Sequence, residues 1–287
     1  PGGRLIAMDV TDLRAPRLKS DFNLITSDRR NFSPAFTASG KVFLSHEASE
    51  FSAGLVPPNY RPASPVITQD PTTGLPVTNE VPVGTWVQKH YLDVVDFADP
   101  AEPTLRPACS LPGRLNGLSH NGEMLYSVGS RFDPVKWNTD SNEWLAASAY
   151  DGVAAHLVDF LALPQTWPHP LLIQGTYALL ARPAESTDGK HVLETWTLSG
   201  SGQFVRVGAT QLGSPAQNLA ILGNLLAVQG SGEVSLYNAS QPAALSLLRK
   251  QAVSACLWFD LTFATGSLEK GLWLPLSDFG TLKIPLP

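Results

Sequence analysis

Two cysteines and two methionines are all that the 287 residues contain, and only 16% of the chain is charged. The cysteines, Cys109 in RPACSLP and Cys256 in VSACLWF, stand in apolar strand-like runs, where a thiol serves as a small buried hydrophobe. There is no CxxC, no haem-type CxxCH and no cysteine–histidine spacing that suits a metal. No run of Lys or Arg exceeds two residues and the net charge is −5, which argues against a nucleic-acid or anionic-membrane surface. Apolar runs stay well short of the roughly 18–20 residues that span a bilayer. A phosphate-cradling GxxxxGKS/T and a dinucleotide GxGxxG are also missing. No cofactor and no metal are expected from this inventory.

What is there in quantity is punctuation: 24 prolines and 23 glycines, set among residues that are 43% apolar. Between them run short segments rich in Val, Leu, Ile, Phe, Trp and Tyr, such as KVFLSH, HYLDVVDF, EMLYSVG and NLLAVQG. Each is bounded by Gly, Pro, Asn, Asp or Ser, the pattern of a strand between turns. Helical periodicity is scarce. The best candidate, NEWLAASAYDGVAAHLVDF, is interrupted by Gly152. The content reads as all-β.

The segments also repeat. AMDVTDLRAP, VVDFADPAEP, LVDFLALPQT, TWTLSGSGQF and LYNASQPAAL align with Asp9, Asp96, Asp159, Thr197 and Asn238 at their third positions. The later spacings are near the roughly 40 residues of one four-stranded antiparallel sheet. Apolar hairpins lie between these anchors, with turns at Ser39-Gly40, Asn121-Gly122 and Gly223-Asn224. A single sheet of this kind cannot bury both faces, whereas radial stacking does. The pattern predicts one β-propeller domain over residues 1–287, of about six blades within a range of five to seven. The first unit begins in mid-blade, so a longer polypeptide extending N-terminally is expected.

Two of the anchors carry a resemblance. LIAMDVTDLRAP and YLDVVDFADPAEP are similar to the LVIVD repeat of bacterial and archaeal secreted and surface propellers: Asp9, Asp12 and Pro16 match it, as do Asp96, Asp99, Pro100 and Pro103. Leu13 stands where that pattern has Pro, and the later units match only in spacing and hydrophobicity. The resemblance implies the propeller fold and an extracytoplasmic address, secreted, periplasmic or at the cell surface. It brings no catalytic residues.

Two stretches, 48–88 with seven prolines and 131–153 with Trp137, Trp144 and Tyr150, read as insertions that emerge on one face. Loops on a rigid scaffold are where binding usually sits. The expectation is a non-catalytic binding or structural module that presents these loops to a protein or glycan partner, or to other domains of the same polypeptide. Tyr60, Trp86, Trp137, Trp144 and Tyr150 are the candidate anchors, since aromatics dominate such surfaces.

The alternative is a carbohydrate-active hydrolase or lyase with its site in the axial funnel. Its polar candidates are His46, Glu47 and His120. Gly117–Asn121 resembles a nucleophile elbow, but Asn121 replaces the final glycine, and an elbow needs a strand-to-helix turn. Ser119 reads more simply as the approach to an Asn-Gly hairpin turn.

Overall fold

The computed structural model describes residues 3–24, 31–56, 66–79, 83–119, 121–133, 138–163, 170–184, 191–199, 202–230, 232–253, 272–275 and 281–284. Among them the only helical element is a single 3-10 turn, Pro242–Ala244. Everything else is strand or turn.

The first pair is β1 (Arg4–Asp9) with β2 (Arg17–Asn23). Blade 1 contains β3 (Phe36–Ala38), β4 (Lys41–Ala53) and, after a separate hairpin of β5 (Val66–Gln69) and β6 (Pro76–Asn79), β7 (Gly84–Asp96). Its fourth position is shared by β8 (Thr104–Leu105) and β9 (Cys109–Leu111), which both pair with β7. Blade 2 is β10 (Arg114–Leu118), β11 (Met124–Asp133), β12 (Asn138–Tyr150) and β13 (Ala155–Ala162). Blade 3 is β14 (Leu171–Gln174), β15 (Tyr177–Pro183), β16 (His191–Leu198) and β17 (Phe204–Leu212). Blade 4 is β18 (Ala216–Leu222), β19 (Leu225–Gly230), β20 (Glu233–Asn238) and β21 (Ser246–Ala252). A last pair joins β22 (Leu272–Pro275) to β23 (Thr281–Ile284).

Among the described residues the core clusters lie between blades rather than within one. In β11, Leu125 turns back to Phe43, Leu92 and Leu111 of blade 1, while its neighbour Tyr126 turns forward to Ala178 and Leu180 of blade 3. In β15, Ala178 and Leu180 face blade 2, and Leu179 faces Leu219 and Leu226 of blade 4. Phe43 and Leu44 split the same way, Leu44 meeting Leu5, Phe22 and Leu24 beside β1–β2. Successive residues of a strand point to opposite faces. A sheet covered on both faces therefore needs a continuous apolar run, as in YALLA and KVFL. The first strands β10, β14 and β18 adjoin in succession, with β4 also against β10. The architecture is the expected β-propeller of four-stranded antiparallel blades.

The third-to-fourth strand pairing carries the repeat. Its register slips between Ala147 and Ser148 in blade 2, Thr195 and Trp196 in blade 3, and Leu236 and Tyr237 in blade 4. The same slip occurs between Ala7 and Met8 of β1, which gives β1–β2 the outer-half geometry of a blade. A bulge increases local twist, as each blade needs when it curls away from the axis.

Two readings change here. Asp159 is not equivalent to Asp96: it sits in β13, a fourth strand, whereas the residue that ends the third strand of blade 2 is followed by Asp151. Asp151 Oδ1 accepts from the Val153 N–H at 2.8 Å, as Asp96 does from Ala98 at 3.0 Å, Asp9 from Thr11 at 3.1 Å and Asn238 from Ser240 at 2.9 Å. The local phrase "apolar–Asp–aromatic" suits a third or a fourth strand equally, and only pairing separates them. Second, most of 131–153 is ladder rather than a loop, because β11 and β12 pair as far as Asp133 and Asn138. The helix candidate is likewise β12 and β13, with Gly152 at φ 99° in the turn between them.

Candidate functional site

Charge is scarce in this core, so a buried carboxylate marks a place to look. Asp93 interrupts the apolar run of β7 and is fully buried. It lies on the face of the β4–β7 ladder that carries Leu44 and Tyr91, one step diagonally from His46. His46 Nδ1 and Asp93 Oδ2 are 2.5 Å apart, and His46 is 5% exposed. The imidazole stacks on Tyr91 at 5.5 Å with 21° between the planes, and Phe32 closes its other side at 5.9 Å. The contact of Nδ1 with Asp93 sets the orientation of the ring.

The next rung pairs Glu47 with His90 on the opposite face of the same ladder. Asn31, held at φ 50°, donates from Nδ2 to Glu47 Oε2 at 2.6 Å. A non-glycine residue in that left-handed region costs energy and persists where its surroundings fix it. Arg114, the first residue of β10, donates from Nη2 to the Phe32 carbonyl at 3.0 Å. Burial pushes the His90 imidazole below its ordinary range; Glu47 opposes that shift, while Arg114 and His46 add to it. The cluster lies on the second and third strands of blade 1, where Asn31–Ser33 run beside Ser45 and β10 of blade 2 adjoins β4.

The tryptophans lead to a different place. Trp86 lines a cavity of about 440 Å³ with Gln88, His90 and Ser110, and Trp144 lines one of about 400 Å³ with Leu157 and Phe160. Tyr150 lies elsewhere: its ring packs edge-on to Phe43 within the core, and its hydroxyl donates to the Gly152 carbonyl at 2.9 Å. Tyr60, Trp137, His120 and Cys256 lie outside the described residues. Cys109 is a free, half-buried thiol whose ionisation burial pushes up, the condition of an unreactive cysteine. Ser119 belongs to a hairpin turn, as expected: its hydroxyl donates to Asn121 Oδ1 at 2.7 Å and accepts from the Met124 N–H at 3.0 Å. Among the described residues no group of three His, Cys, Asp or Glu is placed to hold a metal, and no helix is long and apolar enough to cross a membrane.

The sequence reading singled out His46 and Glu47 but missed their partners, Asp93 and His90. One signal was available. A polar residue inside a doubly covered strand must find a polar partner, and KVFLSH and HYLDVV each hold one.

No family model matches the chain, and no curated protein matches it. Among solved structures it is similar to a Lactobacillus plantarum protein at 18% identity and a TM-score of 0.43, over 65% of this chain and 55% of that one. The chain thus spans little more than half the length of that neighbour. A Bacteroides uniformis protein named as a putative 6-phosphogluconolactonase is similar at 13% identity and a TM-score of 0.42, over 87% of this chain and 78% of that one. A Bacteroides fragilis protein of the same name is similar at 11% identity and a TM-score of 0.34, over 83% and 88%. These likenesses concern the fold. Two of the three are named as enzymes, which is at variance with the expectation of a non-catalytic module, but a likeness of this degree assigns no role to this chain.

Proposed function

We propose that the chain is a carbohydrate-active hydrolase whose acid–base residue is His46, in the second strand of blade 1. The single observation that carries this reading is the 2.5 Å contact between His46 Nδ1 and the fully buried Asp93. Asp93 fixes the tautomer and the ring orientation, and its charge stabilises the imidazolium that forms when Nε2 takes a proton. The step is a water attack. His46 removes a proton from water as its oxygen bonds to the carbonyl carbon of a sugar lactone or ester. The bond from that carbon to the leaving oxygen then breaks, and His46 returns the proton to that oxygen.

The kinship with LVIVD-repeat propellers and an extracytoplasmic address belong to the same proposal. They are supported by the turn-forming aspartates Asp9, Asp12, Asp96 and Asp99, each of which accepts a backbone N–H two residues on.

The test compares the wild type, Asp93→Asn and His46→Gln on a panel of sugar lactones and sugar esters. Asp93→Asn keeps a side chain of the same shape but removes the charge. Turnover of at least one panel member is expected in the wild type, with kcat about a hundredfold or more lower in Asp93→Asn, an altered pH profile and an unchanged circular-dichroism spectrum. A wild type inert on the whole panel, or an Asp93→Asn variant as active as the wild type, sinks the proposal.

A further inference from the structure

We propose that the trough between blades 1 and 2 binds a neutral saccharide, at a site separate from the His46 dyad. This goes beyond the hydrolase reading and does not depend on it. The two cavities of about 440 and 400 Å³ share Pro112 and Ser130 in their walls, so they form one continuous trough of the size that holds small ligands.

Its two ends differ in chemistry. At one end Trp144, Leu157 and Phe160 make an apolar floor, with Trp144 and Phe160 edge-on at 5.0 Å. At the other end Trp86, 69% exposed, stands among Gln88, His90 and Ser110. A sugar ring has the matching split: C–H faces that stack on aromatic rings, and a rim of hydroxyls for amide, imidazole and hydroxyl groups. Two polar atoms of the lining, His90 Nδ1 and Trp144 Nε1, are buried and make no hydrogen bond among the described residues. Buried groups of this kind ordinarily have partners.

Neutrality follows from charge compensation. Among the residues lining the trough, the permanently charged one is Lys89, and its ammonium is held by Glu50 at 2.6 Å. Among the described residues of the lining, an anionic ligand would find no uncommitted cation. The trough is also set apart from the dyad. Trp86, Gln88 and His90 share one face of β7, while Tyr91 and Asp93 occupy the other.

The experiment is a tryptophan-fluorescence and calorimetric titration of the whole chain. The probes are cellohexaose, xylohexaose, maltohexaose and chitohexaose, with hexagalacturonate as the anionic control. Saturable binding of at least one neutral hexasaccharide is expected, weakened about tenfold or more in Trp86→Ala and in Phe160→Ala, and unchanged in Asp93→Asn. Both aromatics are more than half exposed, so their removal leaves the fold intact. No binding of any neutral probe, equal binding by both aromatic variants, or a preference for hexagalacturonate would overturn the proposal. Loss of turnover in Asp93→Asn with saccharide binding retained, or the reverse in the aromatic variants, tells the two sites apart.

Discussion

The hydroxyl of Ser45, in the second strand of blade 1, accepts the backbone N–H of Leu115, in the first strand of blade 2, at 2.8 Å. Both residues are buried, and the bond is a polar bolt across a junction otherwise closed by apolar side chains. Leu115 lies next to the register slip of β10, where the ladder itself leaves its N–H in need of an acceptor. Ser45→Ala strands that donor, and leaving a buried donor unmade costs about 1–3 kcal/mol. The expected result is a lower urea midpoint with an unchanged slope. An unchanged midpoint would show that the blades do not depend on the bolt.

Glu194 in β16 is 1% exposed and is the acceptor for three donors: Arg182 Nη2 at 2.9 Å, Arg206 Nη1 at 2.8 Å and Trp196 Nε1 at 3.0 Å. Removing one side of a buried ion pair leaves uncompensated charge. Glu194→Ala is therefore expected to cost about 1–3 kcal/mol, and Glu194→Gln less, because an amide oxygen still accepts from Trp196. Denaturant unfolding of the two variants checks this, and a Glu194→Gln variant as stable as the wild type would show that the carboxylate only fills space.

Tyr126 lies in the core between blades 2 and 3, and burial pushes its phenol up to about 12. Its hydroxyl makes no hydrogen bond among the described residues. Below the ordinary tyrosine value both folded and unfolded forms keep the proton, so the stabilisation is fully present. Above it the unfolded chain ionises first, and stability falls as pH rises towards 12. Tyr126→Phe is expected to be as stable as the wild type or more so at pH 7, and to lose less stability between about pH 10 and 11. A clear loss at pH 7 would mean that the hydroxyl has a partner after all.

His90 behaves in the opposite sense. Burial lowers its folded value, so the unfolded chain takes up the proton first as pH falls. Its contribution is present above the ordinary histidine value of about 6.5 and is lost as pH drops through the window beneath it. His90→Gln cannot charge, and its stability between about pH 6.5 and 5 is expected to fall less than that of the wild type. Parallel pH profiles would place the acid sensitivity elsewhere.

Much of the fold was legible in short stretches. YALLA and KVFL announce strands covered on both faces, and the Ser39-Gly40 turn, with φ of 48° and 71°, takes the backbone that its residue types favour. The Asx turns at Asp9, Asp96 and Asn238 were visible for the same reason, since an aspartate that binds a backbone N–H two residues on needs no distant partner. The candidate site was legible only in part. His46 and Glu47 stood out as polar residues ending an apolar run, whereas Asp93 was marked only by its place inside an apolar strand and its pairing with His46 needed the fold.

The amino-acid order alone settled the strands, their turns and the need for each sheet to lean on a neighbour, because these follow from local backbone preference and from apolar surface that one sheet cannot hide. Register and blade order were decided only on folding. They put Asp93 against His46 across 47 residues of chain, made Asp151 rather than Asp159 the partner of Asp96 in the repeat, and turned an expected loop at 131–153 into paired strand. A one-residue slip would have sent each of these side chains to the opposite face, and that choice is made by the packing of whole blades rather than by any short segment.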